Sequence, residues 1–313
     1  ILLVCLFVGL FFLFEKEPTG FIPTEDEGRL FVTYEMPEAT STARSVNMLT
    51  TIQSRLLNIP AIRAVGGLAG FNVVSFSNKS NVGTIFVSLK PWDDRQKPED
   101  HVLNVITEIQ KRTADLKEAR IRAIAPPAIN GLGSSSGFTF ELEQTTSTDN
   151  IQQFEKVAQQ FIGALYQRPE IGTAFTFFTT KAPGYKINVD REKAKTLGVP
   201  LTEVYGTLST LLGSNYVNDF NIYGRNFRVV AQADTAYRKD LTDIEKYYVR
   251  NSQGNMIPLG SLITTQVIEN PALISHFNLY RAIEIIGTPK PGYSSGQAIE
   301  ALKETAAKVL PAG

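Results

Sequence analysis

The stretch LFVTY, residues 30–34, decides the fold, because its pattern returns along the chain at a nearly constant distance. β-Branched and aromatic residues dominate this stretch, which predicts a β-strand. Similar stretches follow at residues 84–89, 138–142 and 282–286. Phe31 and Phe86 are 55 positions apart, and Phe86 and Phe140 are 54 positions apart. Such a period indicates an internal structural repeat.

An amphipathic helix is predicted after each of these strands, because apolar residues recur there at positions i, i+3, i+4 and i+7. The expected core positions are, copy by copy, Val46, Leu49, Ile52 and Leu56; Val102, Val105, Ile106 and Ile109; Phe154, Val157, Ala158, Phe161, Ile162 and Leu165; and Ile299, Leu302, Ala306 and Val309. Return strands are predicted at residues 61–68, 121–124 and 172–178. For the fourth copy, the sequence ends before a return strand is expected.

Two strand-helix-strand units make one ferredoxin-like βαββαβ domain. The predicted fold class is therefore α+β, with one such domain at residues 24–135 and a second at 138–182 and 270–313. Glycine and serine at 131–137 predict a hinge between the two domains. An insertion at 183–269 splits the second domain and has its own strand, helix and turn patterns, so we expect a third, small α+β domain there.

The first fourteen residues, ILLVCLFVGLFFLF, carry no charge. A helix that crosses a bilayer needs about 20 apolar residues, so residues 1–14 are expected to be the end of a transmembrane helix. A buried core helix is the second interpretation. A secretory signal is the third, because it needs a positively charged segment before the apolar run and small residues after it. The first interpretation makes the chain an extramembrane portion of a larger membrane protein.

The composition excludes several classes of function. The 313 residues contain 31 Lys+Arg and 31 Asp+Glu, so the net charge is zero and nucleic acid is not the expected partner. Cys5 is the single cysteine, which argues against a disulfide framework and a thiolate metal site. His101 and His276 are the two histidines, and they leave little material for a zinc site or a catalytic triad. We expect no catalytic residues, no metal and no cofactor.

Specific motifs run in order through the whole chain. They are FIP at 21–23, EDEG at 25–28, FVSLKPW at 86–92, GFTFEL at 137–142, DREKAK at 190–195, LGV at 197–199, YVNDF at 216–220 and PGYSSG at 291–296. This series closely resembles the second periplasmic half of resistance-nodulation-division (RND) efflux transporters of the AcrB-like, hydrophobe/amphiphile class. The resemblance covers the insertion as well.

The resemblance implies a domain organisation and a biological setting. Residues 24–135, and 138–182 with 270–313, would be two porter subdomains, and 183–269 would be the funnel or docking subdomain. The full-length protein would be a proton-driven multidrug exporter in the bacterial inner membrane, with this portion facing the periplasm. The implied partners are hydrophobic and amphiphilic small molecules, a periplasmic adaptor (membrane fusion) protein, an outer-membrane channel and two further copies in a homotrimer.

The resemblance also implies a deep drug pocket lined by apolar side chains, which favour broad specificity. Carried onto this chain, the pocket residues are Val65, Leu68, Phe71, Phe76 and Phe86. Residues 66–83 match a flexible switch loop, which is longer here than in the family members we compare it with. Phe86 lies on a strand and could equally be a core residue.

An entrance cleft between the two porter subdomains is implied at Phe138, Phe140, Leu142 and Phe175. The first three share one face of a strand by period two, so a hydrophobic core stripe is the competing interpretation. Phe175 stands where some relatives have Arg, which predicts a more apolar entrance.

Other candidate sites are set aside. The glycines at 131–137 lack the Lys and the following helix of a phosphate-binding loop. The acidic residues at 25–27 are expected to be a solvated edge. Met36, Met48 and Met256 do not gather in the cleft, so heavy-metal export, which needs soft sulfur ligands, is rejected.

Three alternative functions stay open. A same-superfamily exporter of an endogenous lipid or peptide would have a larger, drug-indifferent cleft. A ligand-sensing pair of ferredoxin-like domains would need directed polar groups in its site. An enzyme would need clustered titratable groups with perturbed pKa values.

Overall fold

The computed structural model describes residues 25–127, 137–146 and 150–311, with three further positions near the N-terminus. This part of the chain combines helices with antiparallel strands, so the predicted α+β class is confirmed. The chain divides into two compact units, the larger formed by Ile1–Ala182 with Asn270–Gly313 and the smaller by Pro183–Glu269.

The N-terminal positions Leu3, Phe7 and Leu10 are helical and exposed. Within the described ranges, no helix has the length and apolar content that crossing a bilayer requires. The other residues of 1–14, for which a membrane span is expected, lie outside the described residues, as do positions 131–136 of the expected hinge.

The first sheet of the larger unit has four antiparallel strands in the spatial order β2-β3-β1-β4. Its elements are β1 (Arg29–Glu35), α1 (Thr42–Leu56), β2 (Ile62–Asn72), β3 (Ser77–Leu89), α2 (Val102–Thr113) and β4 (Arg120–Ile124). Ser41 caps α1 by accepting a hydrogen bond from Arg44 N, and His101 caps α2 through Leu103 N. Both helices pack on one side of the sheet.

The buried face of α1 differs by one position from the predicted face. Ser45 is fully buried, whereas the expected core residue Val46 is 42% exposed. The hydroxyl of Tyr34 donates a hydrogen bond to the Ser45 carbonyl at 2.9 Å and lies 3.0 Å from Ser45 Oγ. This contact satisfies polar atoms inside the core, so the polar Ser45 takes the buried position.

A long β2–β3 hairpin replaces the loop predicted at residues 66–83. Its turn occupies only positions 73–76. Asn72 Oδ1 accepts hydrogen bonds from the amides of Val74 and Ser75, at 2.9 and 3.3 Å. Gly70, at φ +91°, lies where the register shifts between β2 and β3. The Gly and Asn residues that suggested a loop therefore form a bulge and a turn inside a paired hairpin.

The remaining elements complete a second sheet and the smaller unit. They are β5 (Phe138–Gln144), α3 (Ile151–Leu165), β6 (Ile171–Phe175), β7 (Ala182–Val189), α4 (Arg191–Thr196), α5 (Leu201–Leu208), β8 (Asn215–Ile222), β9 (Arg225–Ala231), α6 (Leu241–Ile244), β10 (Tyr248–Arg250), β11 (Met256–Pro258), β12 (Ile263–Asn270), β13 (Ser275–Phe277), β14 (Tyr280–Pro289) and α7 (Ser295–Val309).

Strand β14 is the centre of the second sheet. It pairs antiparallel with β5 along one edge and with β13 and β6 along the other. Helices α3 and α7 cover one side, where Phe161, Ile283, Ile285 and Leu302 form part of the core. On α7 the predicted core residue Ile299 is 43% exposed, and Ala298 is buried instead. Small buried side chains on both helices allow their close packing.

The smaller unit contains three strand pairs: β8–β9 and β10–β11 are antiparallel, and β7 pairs with β12. Its core includes Val204, Val249, Leu259 and Leu262. Helix α5 begins after Pro200, which has φ −62°. The fixed φ of proline already suits the start of a helix. Strand β8 contains the YVNDF motif, but no strand was predicted there.

Candidate functional site

Each sheet of the larger unit has one side that its own helices do not cover, which we call its open face. On the first sheet, side chains alternate between the core and the open face. The open-face positions include Phe31, Glu35, Phe86, Arg122 and Ile124, whereas their neighbours belong to the helix-covered core. These open faces carry most of the residues that could bind a ligand.

The residues predicted to line a deep pocket separate into two groups. Leu68, Phe76 and Phe86 are 52%, 73% and 38% exposed. Phe86 meets Phe31 edge-on at 5.5 Å between ring centroids, and Phe71 meets Phe76 at 6.4 Å. Val65 instead packs against the helix-covered core. The structure thus presents aromatic surface on the open face and at the hairpin turn.

The residues predicted to line an entrance cleft do not all lie on the same surface. Phe138 and Leu142 are only 5% and 7% exposed, in the core of the second sheet, and Phe140 contacts Phe161 at 5.3 Å between centroids. All three therefore have a role in packing, which is the competing interpretation from the sequence. A cleft role for them stays a prediction. Phe175, at the end of β6, lies apart from this core.

Phe175 lies at a contact between the two sheets. Its ring meets Phe177 edge-on at 5.4 Å. The guanidinium carbon of Arg122, on β4 of the first sheet, lies 4.1 Å from the centroid of Phe175 and 5.6 Å from that of Phe177. A cation thus adjoins position 175 although the residue there is Phe. That this position borders a more apolar entrance stays a prediction.

A small apolar cluster extends the contact between the sheets. Val74 from the hairpin turn, Ile124 from β4 and Ile286 from β14 are buried together, with Val73, Phe175 and Phe177 packed against them. The β2–β3 hairpin therefore bends back over its own sheet, where Thr84 Oγ1 accepts a hydrogen bond from Val73 N at 3.0 Å.

Glu35 and Arg122 are buried charges on the open face of the first sheet. Burial raises the pKa of Glu35, although Arg122, Lys79 and Arg120 pull that pKa downward. Burial likewise lowers the pKa of Arg122, and Glu35 opposes this change. Glu35 Oε2 and Arg122 Nη1 have no hydrogen-bond partner among the described residues. The two groups therefore interact through their charges and not through a direct hydrogen bond.

A small cavity, partly open to solvent, lies between the hairpin and the second sheet. Its lining combines hydroxyl, aromatic, aliphatic and charged side chains: Ser75, Lys79, Thr176, Phe177, Phe178, Thr179, Leu273, Ser275, Ala282, Ile283 and Glu284. Lys79 is already paired with Glu38, with 3.3 Å between Nζ and Oε1.

Glu284 is the acidic residue of this lining. It lies directly opposite Glu141 in the β14–β5 register. Burial, and then the like charge of Glu141, raise the pKa of Glu284 to about 7. Burial and Glu143 also raise the pKa of Glu141. A carboxyl that exchanges its proton near neutral pH therefore borders the cavity.

Sequence reasoning missed Arg122, Phe177, Glu141 and Glu284. A signal existed for the charged residues, because each interrupts a strand whose neighbours are apolar, as in Ala-Ile-Glu-Ile-Ile at 282–286. What the sequence did not contain was the contact between the sheets. Within the described ranges, no group of three His, Cys, Asp or Glu residues could hold a metal. The arrangement suits non-covalent binding.

Comparison with known proteins identifies the family. The AcrB/AcrD/AcrF family profile matches residues 1–313. The chain belongs to the AcrB/AcrD/AcrF family. The resemblance to RND efflux transporters that the motifs suggested is thereby confirmed.

Three characterised relatives of this family illustrate the similarity. The chain is 33% identical over 308 residues to the toluene efflux pump membrane transporter TtgB of Pseudomonas putida, with 98% of the chain covered. It is 32% identical over 317 residues to the multidrug export protein AcrF of Escherichia coli, with 97% covered. It is 31% identical over 318 residues to the multidrug resistance protein MdtF of the same organism, with 100% covered.

The alignments cover only part of each relative. The chain spans 29% of the length of TtgB, 29% of AcrF and 30% of MdtF. These relatives are transporters and not enzymes, which agrees with the expectation that this chain performs no catalysis.

Proposed function

We propose that this chain is the periplasmic part of a proton-driven inner-membrane exporter of hydrophobic and amphiphilic small molecules. The observation that carries the proposal is the match over residues 1–313 to the AcrB/AcrD/AcrF family. The exposed aromatic side chains of the larger unit support it. Large apolar surfaces with few fixed polar partners bind many different hydrophobic molecules.

In this proposal the two sheets of the larger unit belong to two porter subdomains, at residues 24–135 and at 138–182 with 270–313. Residues 183–269 form the funnel subdomain, which faces an adaptor protein and an outer-membrane channel. The functional assembly is a homotrimer. Proton coupling rests on parts of the full-length protein outside this chain.

The deep pocket is formed by Leu68, Phe71, Phe76 and Phe86, with Val65 behind them. This assignment is supported by the exposure of Leu68, Phe76 and Phe86, which presents apolar surface to a ligand. Phe175 borders the entrance cleft, whereas Phe138, Phe140 and Leu142 hold its wall in place from the core side. Export then follows from changes between discrete packings of the two subdomains.

The deciding experiment measures accumulation of a neutral hydrophobic dye. The full-length gene product is expressed, with its cognate adaptor and channel, in a bacterial strain that lacks its major efflux pumps. We expect the cells to exclude the dye and to lose this ability when a protonophore is added.

Two results would count against the proposal. Dye accumulation equal to that of the empty strain, despite confirmed membrane expression, would instead favour a dedicated exporter of an endogenous lipid or peptide. Dye exclusion that survives the protonophore would contradict proton coupling.

A further inference from the structure

Asp26 and Arg95 form a buried ion pair at the point where the chain enters the first sheet. The side chain of Asp26 is 12% exposed and that of Arg95 only 2%. Arg95 Nη2 donates a hydrogen bond to Asp26 Oδ1 at 2.7 Å, and Arg95 Nη1 donates one to Asp26 Oδ2, so the contact is bidentate. A bidentate pair of a guanidinium and a carboxylate fixes orientation as well as distance.

Further hydrogen bonds fasten the entering segment to its surroundings. The carboxylate of Asp26 also accepts hydrogen bonds from Gly28 N and Val102 N, each at 3.0 Å. The main-chain carbonyl of Asp26 accepts one from Trp92 Nε1 at 3.1 Å. The carbonyl of Gly28 accepts another from Leu89 N at 2.8 Å. The entering segment is thus held by α2, by the end of β3 and by the turn that follows β3.

Arg95 is itself fixed by the loop between β3 and α2. Its Nε donates a hydrogen bond to the Lys90 carbonyl at 2.7 Å, and its Nη1 donates one to the Asp100 carbonyl at 3.2 Å. Its guanidinium carbon lies 6.0 Å from the centroid of the Trp92 ring. Because these acceptors are main-chain atoms of a folded loop, Arg95 cannot follow a movement of Asp26 without moving the loop as well.

The position of this contact in the chain suggests a mechanical role. Asp26 lies 12 positions after Phe14, the last residue of the apolar run that is expected to end a membrane span, and three before Arg29, the first residue of β1. Strand β1 pairs with both β3 and β4 in the first sheet. Helix α2 contributes to the core on the same sheet. A displacement of the segment before Asp26 therefore reaches an inner strand and a helix together.

We propose that Asp26 and Arg95 are positioning residues for export, which form a rigid joint that transmits movements of the preceding segment to the first porter subdomain. The inference rests on the proposed function, because it concerns how that exporter changes between its packings. A buried ion pair contributes little net stability compared with apolar side chains of similar volume, but it can specify one geometry. Neither residue lines the cavity beside the hairpin. Loss of the joint should consequently slow export and leave ligand binding unchanged.

The test uses the full-length gene product, with its cognate adaptor and channel, and the neutral dye Nile red. Export rates are measured in cells at equal membrane levels of each variant, and dissociation constants are measured with the purified protein. Asp26→Asn removes the negative charge from the joint. Asp115→Asn is the matched control, because Asp115 also pairs with an arginine, Arg55, but its side chain is 68% exposed. Leu56→Ala, in the buried core of the same sheet, controls for lost stability.

A second measurement reports on the joint itself. Spin labels at Glu25→Cys and Leu57→Cys, both exposed positions, are introduced in a background without other cysteines. They give the distance distribution between the entering segment and the end of α1, which should be narrow in the wild type and broad in Asp26→Asn. Trp92→Phe removes only the hydrogen bond to the Asp26 carbonyl, at a side chain that is 63% exposed. It provides the same test if Asp26→Asn does not reach the membrane.

We expect Asp26→Asn to slow Nile red export at least about fivefold and to keep the dissociation constant within about twofold of wild type, since coupling between distant parts of a protein starts near the first value. Trp92→Phe should slow export in the same direction and by less. Asp115→Asn should export like the wild type. Leu56→Ala should leave the export rate per membrane-inserted molecule unchanged.

The possible failures are distinguishable. If Asp26→Asn broadens the distance distribution but exports at the wild-type rate, the joint does not transmit movement and the inference is overturned. Equal slowing in Leu56→Ala would also overturn it, because stability and not the joint would then limit export. An unchanged distance distribution in Asp26→Asn would show that the ion pair does not hold the segment. In these three cases the exporter proposal stands. If the wild type neither binds nor exports the dye, the proposed function fails, and the inference fails with it.

Discussion

Asp26 shows how a single carboxylate can hold several segments together. Its two carboxylate oxygens accept hydrogen bonds from the Arg95 guanidinium, and also from the amides of Gly28 and Val102 at 3.0 Å each. Arg95 is almost fully buried. Burial alone would raise the pKa of Asp26, but these hydrogen bonds outweigh it and lower the pKa to about 2. The acidic stretch at 25–27 is therefore not merely a solvated edge.

Replacement of Asp26 by Asn should lower the free energy of unfolding by about 3 kcal/mol, because it leaves the buried charge of Arg95 unpaired. The chain's single tryptophan, Trp92, donates a hydrogen bond to the Asp26 carbonyl at 3.1 Å, so Trp92 fluorescence during urea unfolding is the measurement. Because the pKa of Asp26 is lower in the folded state than in the unfolded state, the stabilisation by its carboxylate is complete above about pH 4. It is lost as the pH falls towards 2.

The Asp26→Asn variant should therefore lack this acid-dependent loss of stability. Equal slopes of stability against pH in both proteins between pH 4 and 2 would contradict the role given to Asp26.

Phe76 is the most exposed of the proposed pocket residues, at 73%. Replacement by Ala should change stability by less than about 0.5 kcal/mol, because the side chain is at the surface. It should weaken binding of a neutral hydrophobic dye roughly two- to tenfold, which is the loss of affinity expected when one aromatic contact is removed. Equilibrium dye binding to the full-length product checks this.

Leu57→Ala is the control for Phe76, since it removes another exposed apolar side chain at the end of α1. Equal dye affinities in both variants would remove Phe76 from the pocket.

At the scale of elements, the β2–β3 hairpin depends on the close packing of Gly83, on β3, against the side chain of Tyr34. Tyr34 is buried under Gly83, where an added Cβ would lie 2.3 Å from both the Tyr34 Oη and Cζ atoms. Gly83→Ala should therefore destabilise the first sheet by about 2 kcal/mol, through overpacking. Gly66, on the neighbouring strand, has no heavy atom within 4 Å of an added Cβ.

Gly66→Ala is consequently the matched control and should be neutral or slightly stabilising. Urea unfolding of both variants is the measurement. If the two glycine variants had the same stability, the packing of Tyr34 against Gly83 would not limit the hairpin.

The sequence predicted the repeating units well because core residues alternate or recur on one face of each element. Ile52, Ile109 and Phe161 are buried as expected. The prediction from sequence failed where polar contacts override the apolar pattern. Ser45 is buried because Tyr34 bonds to it, and the supposed loop is paired because Asn72 and Thr84 bind backbone atoms of the turn. Strand β8 was missed because all of its residues are exposed and no apolar alternation marks it.

The candidate site was only partly predictable for a different reason. The aromatic residues, such as Phe86, were chosen from the resemblance to a known family, and the strand pattern alone left Phe86 open between pocket and core. Arg122 and Glu284 gain their importance from the approach of two sheets whose strands are distant in sequence. No period or motif encodes that approach, so it becomes visible only in the folded chain.

At the scale of the larger unit, the described residues join the two sheets through few side chains. The planar guanidinium of Arg122 stacks on Phe175 and Phe177, and the cluster around Val74 adds apolar contact. Arg122→Lys keeps the positive charge that interacts with Glu35 but loses the planar stacking. Glu35→Gln removes the negative charge of Glu35 and leaves the stacking of Arg122 on the aromatic rings intact. The two variants therefore separate the aromatic contact from the ionic one.

We expect Arg122→Lys to loosen the sheets against each other and Glu35→Gln to leave their spacing unchanged. The measurement is a distance distribution between spin labels at the exposed positions Leu57 and Ile299, each changed to Cys, with Cys5 replaced by Ser. The distribution should broaden in Arg122→Lys alone, because a cation–π contact of about 0.5–2 kcal/mol is lost at a contact made by few residues. Broadening in Glu35→Gln alone would assign the junction to the buried charges instead of the aromatic rings.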